Sequence, residues 1–321
     1  MKKLYETGKK FRRNTSKTRI RAISKGMNTN EKNEPSRRLN PLNDFLFYKT
    51  MGEKGSEPQL IGFLNAVLAP SGRKPIRSLK IIEKKTFIKD LLKGKSCTLD
   101  VTAILTDKTR VNIEVQIEDK KNMDRRSLFY WSKLYAEVLK QGKDYRELPD
   151  AIAINIVDYD FPSGGGVHTR FRLRETSDPT VELTSAMEIH FVNMVKWRKQ
   201  GVKDFAGNPL HRWLAWFDRL SSPELIEEVK NMDVSIAHAD ARQSFVIQDD
   251  EAREVYELLE KAERDRRSEL AFALEKGEEM GAEKNALDNA RNALAKGLSH
   301  ELIHEITGVG METIAGLSVG A

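Results

Sequence analysis

Residues 97–117 read CTLDVTAILTDKTRVNIEVQI and predict a β-hairpin. The expected strands are Cys97–Leu105 and Val111–Ile117, joined by a polar turn at residues 106–109. The second strand alternates strictly, with aliphatic side chains on one face and Asn112, Glu114 and Gln116 on the other. This alternation predicts that one face of the hairpin packs in a core while the other face presents polar side chains.

The pairing of the two strands decides which polar side chains meet. If the turn has an odd number of residues, so that Thr106 faces Arg110, then Asp100 faces Gln116 and shares a face with Glu114. A slip of one residue would move Asp100 to the other face. Two carboxylates held close together repel each other unless a cation lies between them, and their oxygen atoms suit Mg²⁺ or Mn²⁺. The hairpin therefore predicts a divalent metal site.

The same residues carry a resemblance to a known family. Leu99-Asp100-Val101, followed by NIEVQ at residues 112–116, resembles the D…E-x-Q core of the Rpn family of recombination-promoting nucleases and transposases. Residues 40–49, NPLNDFLFYK, are similar to the opening signature of that family, which belongs to the PD-(D/E)XK nuclease superfamily. The resemblance covers residues 40–200 well and the helical remainder loosely. It implies an α/β, restriction-endonuclease-like core, a central mixed β-sheet flanked by helices, with a helical C-terminal region.

The resemblance also implies an activity, which is metal-dependent endonucleolytic hydrolysis of DNA phosphodiester bonds. Asp100, Glu114 and Gln116 are then the catalytic residues. Asp100 and Glu114 bind Mg²⁺ or Mn²⁺, together with the main-chain carbonyl of Val115, and the metal activates water. Gln116 stands where the wider superfamily commonly has lysine. A neutral amide can orient a water molecule but cannot accept its proton as an ordinary general base.

Five further residues are accessory candidates. Asp44, at the start of the first predicted helix, is a candidate outer metal ligand, although the helix dipole alone also favours an acid there. Lys49 and Lys95 could supply positive charge near the phosphate. Arg125 and Arg126 lie early in a predicted amphipathic helix, residues 124–141, and are candidate DNA-binding residues.

Positive charge is concentrated at the N-terminus of the 321-residue chain. The net charge is +6, but residues 1–40 alone contain 13 Lys and Arg and three Glu, which leaves the remainder at −4. We predict a basic disordered tail over residues 1–39 and a nuclease-like domain over 40–205. A helical extension is expected over 206–250, and a long charged helix with a helix-turn-helix-like tail over 251–321. The basic tail either binds nucleic-acid phosphates non-specifically or is an unstructured extension.

Composition also bears on compartment and partners. No stretch approaches the roughly 20 consecutive apolar residues that a membrane span needs. Cys97 is the sole cysteine, so the chain cannot form an internal disulfide, and a reducing cytoplasm is the simplest interpretation. DNA is the expected partner, and the C-terminal helices could also support a homo-oligomer.

Two alternatives remain at this stage. The chain could be a non-catalytic nucleic-acid-binding or regulatory protein on the same scaffold. Separately, HELIH at residues 300–304 matches the H-E-x-x-H helix of zinc proteases. Because only 17 residues follow His304, and Gly310 rather than histidine stands six positions beyond it, the sequence lacks the expected third ligand.

Overall fold

The computed structural model describes residues 38–83, 100–137 and 144–318. A compact unit begins at Asn40. Several predicted features lie outside the described residues, namely the tail up to residue 37, a strand at 86–88, Lys95, and a helix end at Gly142. The described strands are β1 Leu79–Ile81, β2 Val101–Leu105, β3 Arg110–Gln116, β4 Ala151–Val157, β5 His168–Phe171 and β6 Met187–Asn193. The described helices are α1 Asp44–Met51, α2 Glu57–Leu68, α3 Met123–Ala136, α4 Met194–Lys199, α5 Pro209–Phe217, α6 Pro223–Met232, α7 Val234–Gln248, α8 Asp250–Ala295, α9 His300–Thr307 and α10 Met311–Ser318.

The strands form one mixed sheet in the order β1-β2-β3-β4-β6-β5. β1, β2 and β3 pair antiparallel, β3, β4 and β6 run parallel, and β5 returns antiparallel to β6. A parallel pair needs a crossover connection, and α3 lies in the one between β3 and β4. β4 is buried along its whole length, as expected of a central parallel strand covered on both faces. The predicted α/β core with a mixed sheet and a helical C-terminal region is confirmed.

The hairpin register differs from the predicted one by two residues. Thr102 pairs with Asn112, and Ile104 with Arg110, because the turn falls one residue earlier than expected. Lys108 adopts a left-handed conformation, φ 73°, which closes a three-residue turn between Leu105 and Thr109. The prediction that Asp100 faces Gln116 is therefore wrong. A two-residue shift preserves the alternation of faces, so it carries Asp100 toward Glu114 rather than away from it.

The two faces of the sheet bury different sets of side chains. The face of Val111 and Ile113 packs against α1, α2 and α5, where Phe63, Trp213 and Phe217 make edge-to-face and tilted ring contacts at 5.2–5.7 Å. The other face carries a smaller apolar cluster beneath α3: Met123, Ala153, Val157, Met187, Ile189 and Phe191. This second face is also the face of Asn112 and Glu114.

Local signals at helix starts were only partly reliable. Asparagine and serine favour helix starts, and the side chain of Asn43 caps α1, as its type predicts, by accepting a hydrogen bond from the Leu46 amide; Ser299 caps α9 in the same way. Ser56 and Gln59, three residues apart, predict a capping box at the start of α2. That prediction is wrong, because the Ser56 hydroxyl makes no capping hydrogen bond and the Gln59 amide donates to the Thr50 carbonyl instead. α7 lies within the helical extension predicted over residues 206–250, although no separate helix was specified there.

A buried chain of hydrogen bonds joins β6 to β5. The carboxylate of Glu188 contacts Nε2 of His190 at 3.0 Å, and Nδ1 of His190 contacts Nε2 of His168 at 2.9 Å. Arg73 and Arg172 flank the Glu188 carboxylate at 3.6 and 3.3 Å. Burial lowers the pKa of His168 to about 4, and the neighbouring His190 and Arg170 add to the effect. Burial also lowers the pKa of His190, although Glu188 opposes the shift. From sequence alone His168 and His190 look like ordinary strand residues, but in the structure they form an internal polar network with Glu188.

This network predicts an acid-sensitive stability. The pKa of His168 is about 4 when folded and about 6.5 when unfolded, so the unfolded chain binds the extra proton, and stability present above pH 6.5 is lost as the pH falls toward 4. We expect urea unfolding to show the wild type losing about 2 kcal/mol more than His168→Gln between pH 7.5 and pH 5. His238→Gln, an exposed control, should follow the wild type. Equal losses in the wild type and His168→Gln would contradict the expected role.

The C-terminal helices extend away from this core. Along α8, residues 264–285 are exposed at nearly every position, including the apolar side chains of Leu270, Phe272, Leu274 and Met280. The far end of α8 packs with α9 and α10 around a small cluster centred on Ile303 and Ile314. The described helices include none that is long and apolar enough to cross a membrane.

Candidate active site

Asp100 and Glu114 lie on the same face of the hairpin. Thr102 and Asn112 share that face, because their side chains are hydrogen-bonded at 3.0 Å. Asp100 is two residues before Thr102, and Glu114 two residues after Asn112, so alternation places both acids there. Continuing the observed register makes them direct neighbours across the hairpin. The sheet therefore brings together the two carboxylates on which the predicted metal site depends.

Arg126 lies over this pair of acids. Its Nε donates to Oε1 of Glu114 at 2.8 Å, and its Nη2 donates to the same oxygen. Its guanidinium also stacks on the ring of Tyr130 at 5.1 Å. Burial lowers the pKa of Arg126, but Glu114, Tyr130 and Asp100 together outweigh it and raise that pKa overall. Glu114 is only 7% exposed, so the guanidinium supplies the countercharge for a largely buried carboxylate.

α3 holds Arg126 in this position. The residues of α3 that face the sheet include Met123, Ser127 and Leu134, which are spaced by one and then two turns, and Arg126 lies beside them. The Trp131 indole donates to the Ala151 carbonyl at 2.8 Å and ties the helix to the start of β4. Arg126 was predicted to bind DNA, and no sequence pattern indicated that it would pair with Glu114.

Asp44 belongs to the same acidic neighbourhood. Burial raises its pKa to about 6, Glu263 and Glu114 add to the effect, and Arg126 and Arg266 oppose it. The side chain retains solvent access, yet enough protein surrounds its carboxyl group for desolvation to be the largest influence. The first helix thus places a carboxyl group with a raised pKa within electrostatic range of Glu114.

Sequence reasoning missed three contributors to this site. Burial raises the pKa of Tyr159 to about 12, Asp119 and Glu114 adding to the effect and Arg126 opposing it. The Tyr159 hydroxyl is buried and has no hydrogen-bond partner in the part of the chain that the structure describes. Two residues of α8 influence the pKa of Asp44: Glu263 raises it and Arg266 lowers it. Arg266 also pairs with Glu118 just beyond β3. These residues are distant from Asp100 and Glu114 in sequence, and the place of Tyr159, two residues past the buried strand β4, is the one signal that could have indicated it.

The other predicted site residues are placed as follows. Gln116 follows Glu114 on the same face, and its amide donates to the Glu118 carbonyl at 3.1 Å. Val115 packs its side chain against the opposite core, and its carbonyl as a metal ligand stays a prediction. The ammonium group of Lys49 pairs with the Glu53 carboxylate at 2.5 Å, and not with Asp100 or Glu114. Arg125 is exposed on α3.

The described side chains of the site are of the type that binds a divalent cation, but they are not gathered around a common point. Asp44, Asp100 and Glu114 offer the carboxylate oxygens that Mg²⁺ and Mn²⁺ prefer. Burial is the largest cause of the raised pKa of Asp44, and the negative charges of Glu263 and Glu114 add to it, which a cation would offset. Among the described residues, no three His, Cys, Asp or Glu side chains are already gathered around one point. Arg126 provides the positive charge in this state, so a metal ion would take over its contact with Glu114.

Comparison with known proteins gives a family assignment. The sequence model of a family described as PD-(D/E)XK nuclease family transposase matches residues 41–273. This range includes every described acid of the site and the part of α8 that carries Glu263 and Arg266. Neither the curated proteins nor the solved structures gave a match.

Proposed function

Because the chain belongs to the PD-(D/E)XK nuclease family transposases, we propose that it is an endonuclease that hydrolyses DNA phosphodiester bonds with the help of Mg²⁺ or Mn²⁺. The observation that carries the proposal is the placement of Asp100 and Glu114 on one sheet face with Arg126 beside both. The proposal concerns cleavage only, and strand transfer forms no part of it.

Each residue has a defined part in the proposal. Asp100 and Glu114 hold the metal ion, which when bound polarises the phosphate and makes a water molecule more acidic. Arg126, released from Glu114, binds a phosphate oxygen through its planar guanidinium. Gln116 orients the attacking water through its amide. Asp44, within electrostatic range of Glu114, is the outer ligand of that ion.

Supercoiled plasmid DNA gives the direct test, because a closed circle has no ends and its relaxation requires internal cleavage. We expect the wild type to convert it to open circles with Mg²⁺ or Mn²⁺, and not with EDTA. Asp100→Asn, purified in parallel, excludes a contaminating nuclease. DNA binding without cleavage in either metal would favour the alternative, a non-catalytic nucleic-acid-binding or regulatory protein.

The remaining predictions about partners and location are parts of this proposal. The exposed apolar side chains of α8 are consistent with self-association through the C-terminal helices. The zinc-protease alternative still lacks a third ligand, since among the described residues no group of three His, Cys, Asp or Glu side chains that could hold a metal ion includes His300 and His304. A cytoplasmic location and the four domain boundaries stay predictions.

A further inference from the structure

A cavity lined by arginines lies at the carboxyl ends of the parallel strands. It has a volume of about 220 Å³ and is lined by residues that follow β3 and β4, by Arg198 of α4, by Arg219 just after α5, and by Arg267 of α8. The carboxyl edge of a parallel sheet is where ligands of α/β proteins commonly bind. Three guanidinium groups from separate elements therefore converge on one space.

The arginines differ in how far protein acids neutralise them. Arg198 is held by two carboxylates, with Nη2 3.2 Å from Asp158 Oδ2 and Nε 3.1 Å from Asp218 Oδ1. Arg267 pairs with Glu263 at 2.9 Å and remains half exposed. Arg219 is half-buried and makes no hydrogen bond or ion pair with any residue that the structure describes. A guanidinium that lines a cavity and pairs with no described acid is available to bind an anion.

The cavity and the acidic site lie near the same end of β3. Ile117, in the lining of the cavity, is three residues beyond Glu114, about 10 Å along the extended backbone, and its side chain packs on the face of Val111 and Ile113, opposite that of Glu114. Consecutive residues of α8 reach both places, since Arg266 interacts with Asp44 and Glu118 while Arg267 lines the cavity.

We propose that this cavity binds a phosphate group of the nucleic-acid strand whose phosphodiester bond is held at the acidic site, with Arg219 as the principal contact. Arginine suits this ligand because its planar fork of donors matches two phosphate oxygens. The position of the bound phosphate rests on the proposed function, whereas the binding of phosphate itself does not. The phosphate is either an internal phosphodiester or a terminal monophosphate.

The test uses Arg219→Gln, with Arg291→Gln at the far end of α8 as a control of equal charge. Binding of a fluorescent 12-nucleotide single strand is measured by anisotropy in EDTA, without cleavage, with a 5′-phosphate, a 3′-phosphate or neither. We expect Arg219→Gln to weaken binding at least fivefold and to reduce the salt slope by about one, while Arg291→Gln stays within twofold of the wild type. Inorganic phosphate should raise the Tm of the wild type and not that of Arg219→Gln.

The outcomes distinguish a terminal phosphate from an internal one, and the phosphate site from the proposed nuclease activity. Preference for a phosphorylated end that disappears in Arg219→Gln identifies a terminal phosphate, whereas equal weakening of all three strands identifies an internal one. Arg219→Gln binding like the wild type, or a wild type that binds none of the strands, would overturn the phosphate site. A wild type that binds through Arg219 but nicks no plasmid with either metal would retain the site and refute the nuclease.

Discussion

Glu114→Gln is expected to reduce metal-dependent plasmid cleavage about 1,000-fold, which corresponds to about 4 kcal/mol of lost transition-state stabilisation. The substitution keeps the shape of the side chain, and its amide oxygen can still accept a hydrogen bond from Arg126, so the fold should persist. What it removes is the charge that would hold a metal ion beside Asp100.

The rate is measured by following open-circle formation at saturating Mg²⁺, and folding by thermal unfolding. Glu228→Gln, an exposed acid on α6, is the matched control and should cleave like the wild type. Retention of cleavage by Glu114→Gln, in a preparation whose activity needs added metal, would exclude Glu114 as a metal ligand.

Arg126→Gln should produce the second large effect, a loss of stability that added metal reverses. Without metal, Glu114 would be a largely buried carboxylate lacking its guanidinium partner, which we expect to cost about 2 kcal/mol and to lower Tm by about 5 °C. Mg²⁺ or Ca²⁺ can replace the missing charge, so either ion should raise the Tm of the variant more than that of the wild type.

Arg125→Gln is the control for this measurement, because Arg125 is the neighbouring residue but is exposed on α3. Its Tm and its response to metal should match those of the wild type. If Arg126→Gln and the wild type gained equal stability from metal, the ion and the guanidinium would not be competing for Glu114.

The acids of the site were predictable because strand alternation has a period of two. The turn between Leu105 and Thr109 was misplaced by one residue, yet the resulting shift of two residues left Asp100 and Glu114 on one face. The order of helices and strands was also predictable, because each element is indicated by the spacing of apolar residues within a short segment of the chain.

The contacts of the site were not predictable, since they join segments far apart in the chain. Nothing in the spacing of Arg126 indicated its pairing with Glu114, and Glu263 lies more than 200 residues after the Asp44 that it influences. The histidine pair was missed because each residue looks ordinary within its own strand. The arginine cavity likewise exists only once three separate helical segments pack together.

The pairing of Arg126 with Glu114 has a consequence for the order of events after synthesis. A protein whose acidic centre is neutralised only by a metal ion often cannot fold until the ion arrives. Here Arg126 supplies the countercharge of Glu114, so we expect the chain to fold before any ion binds. On the proposed function, the supply of metal would then govern when the protein is active rather than whether it folds.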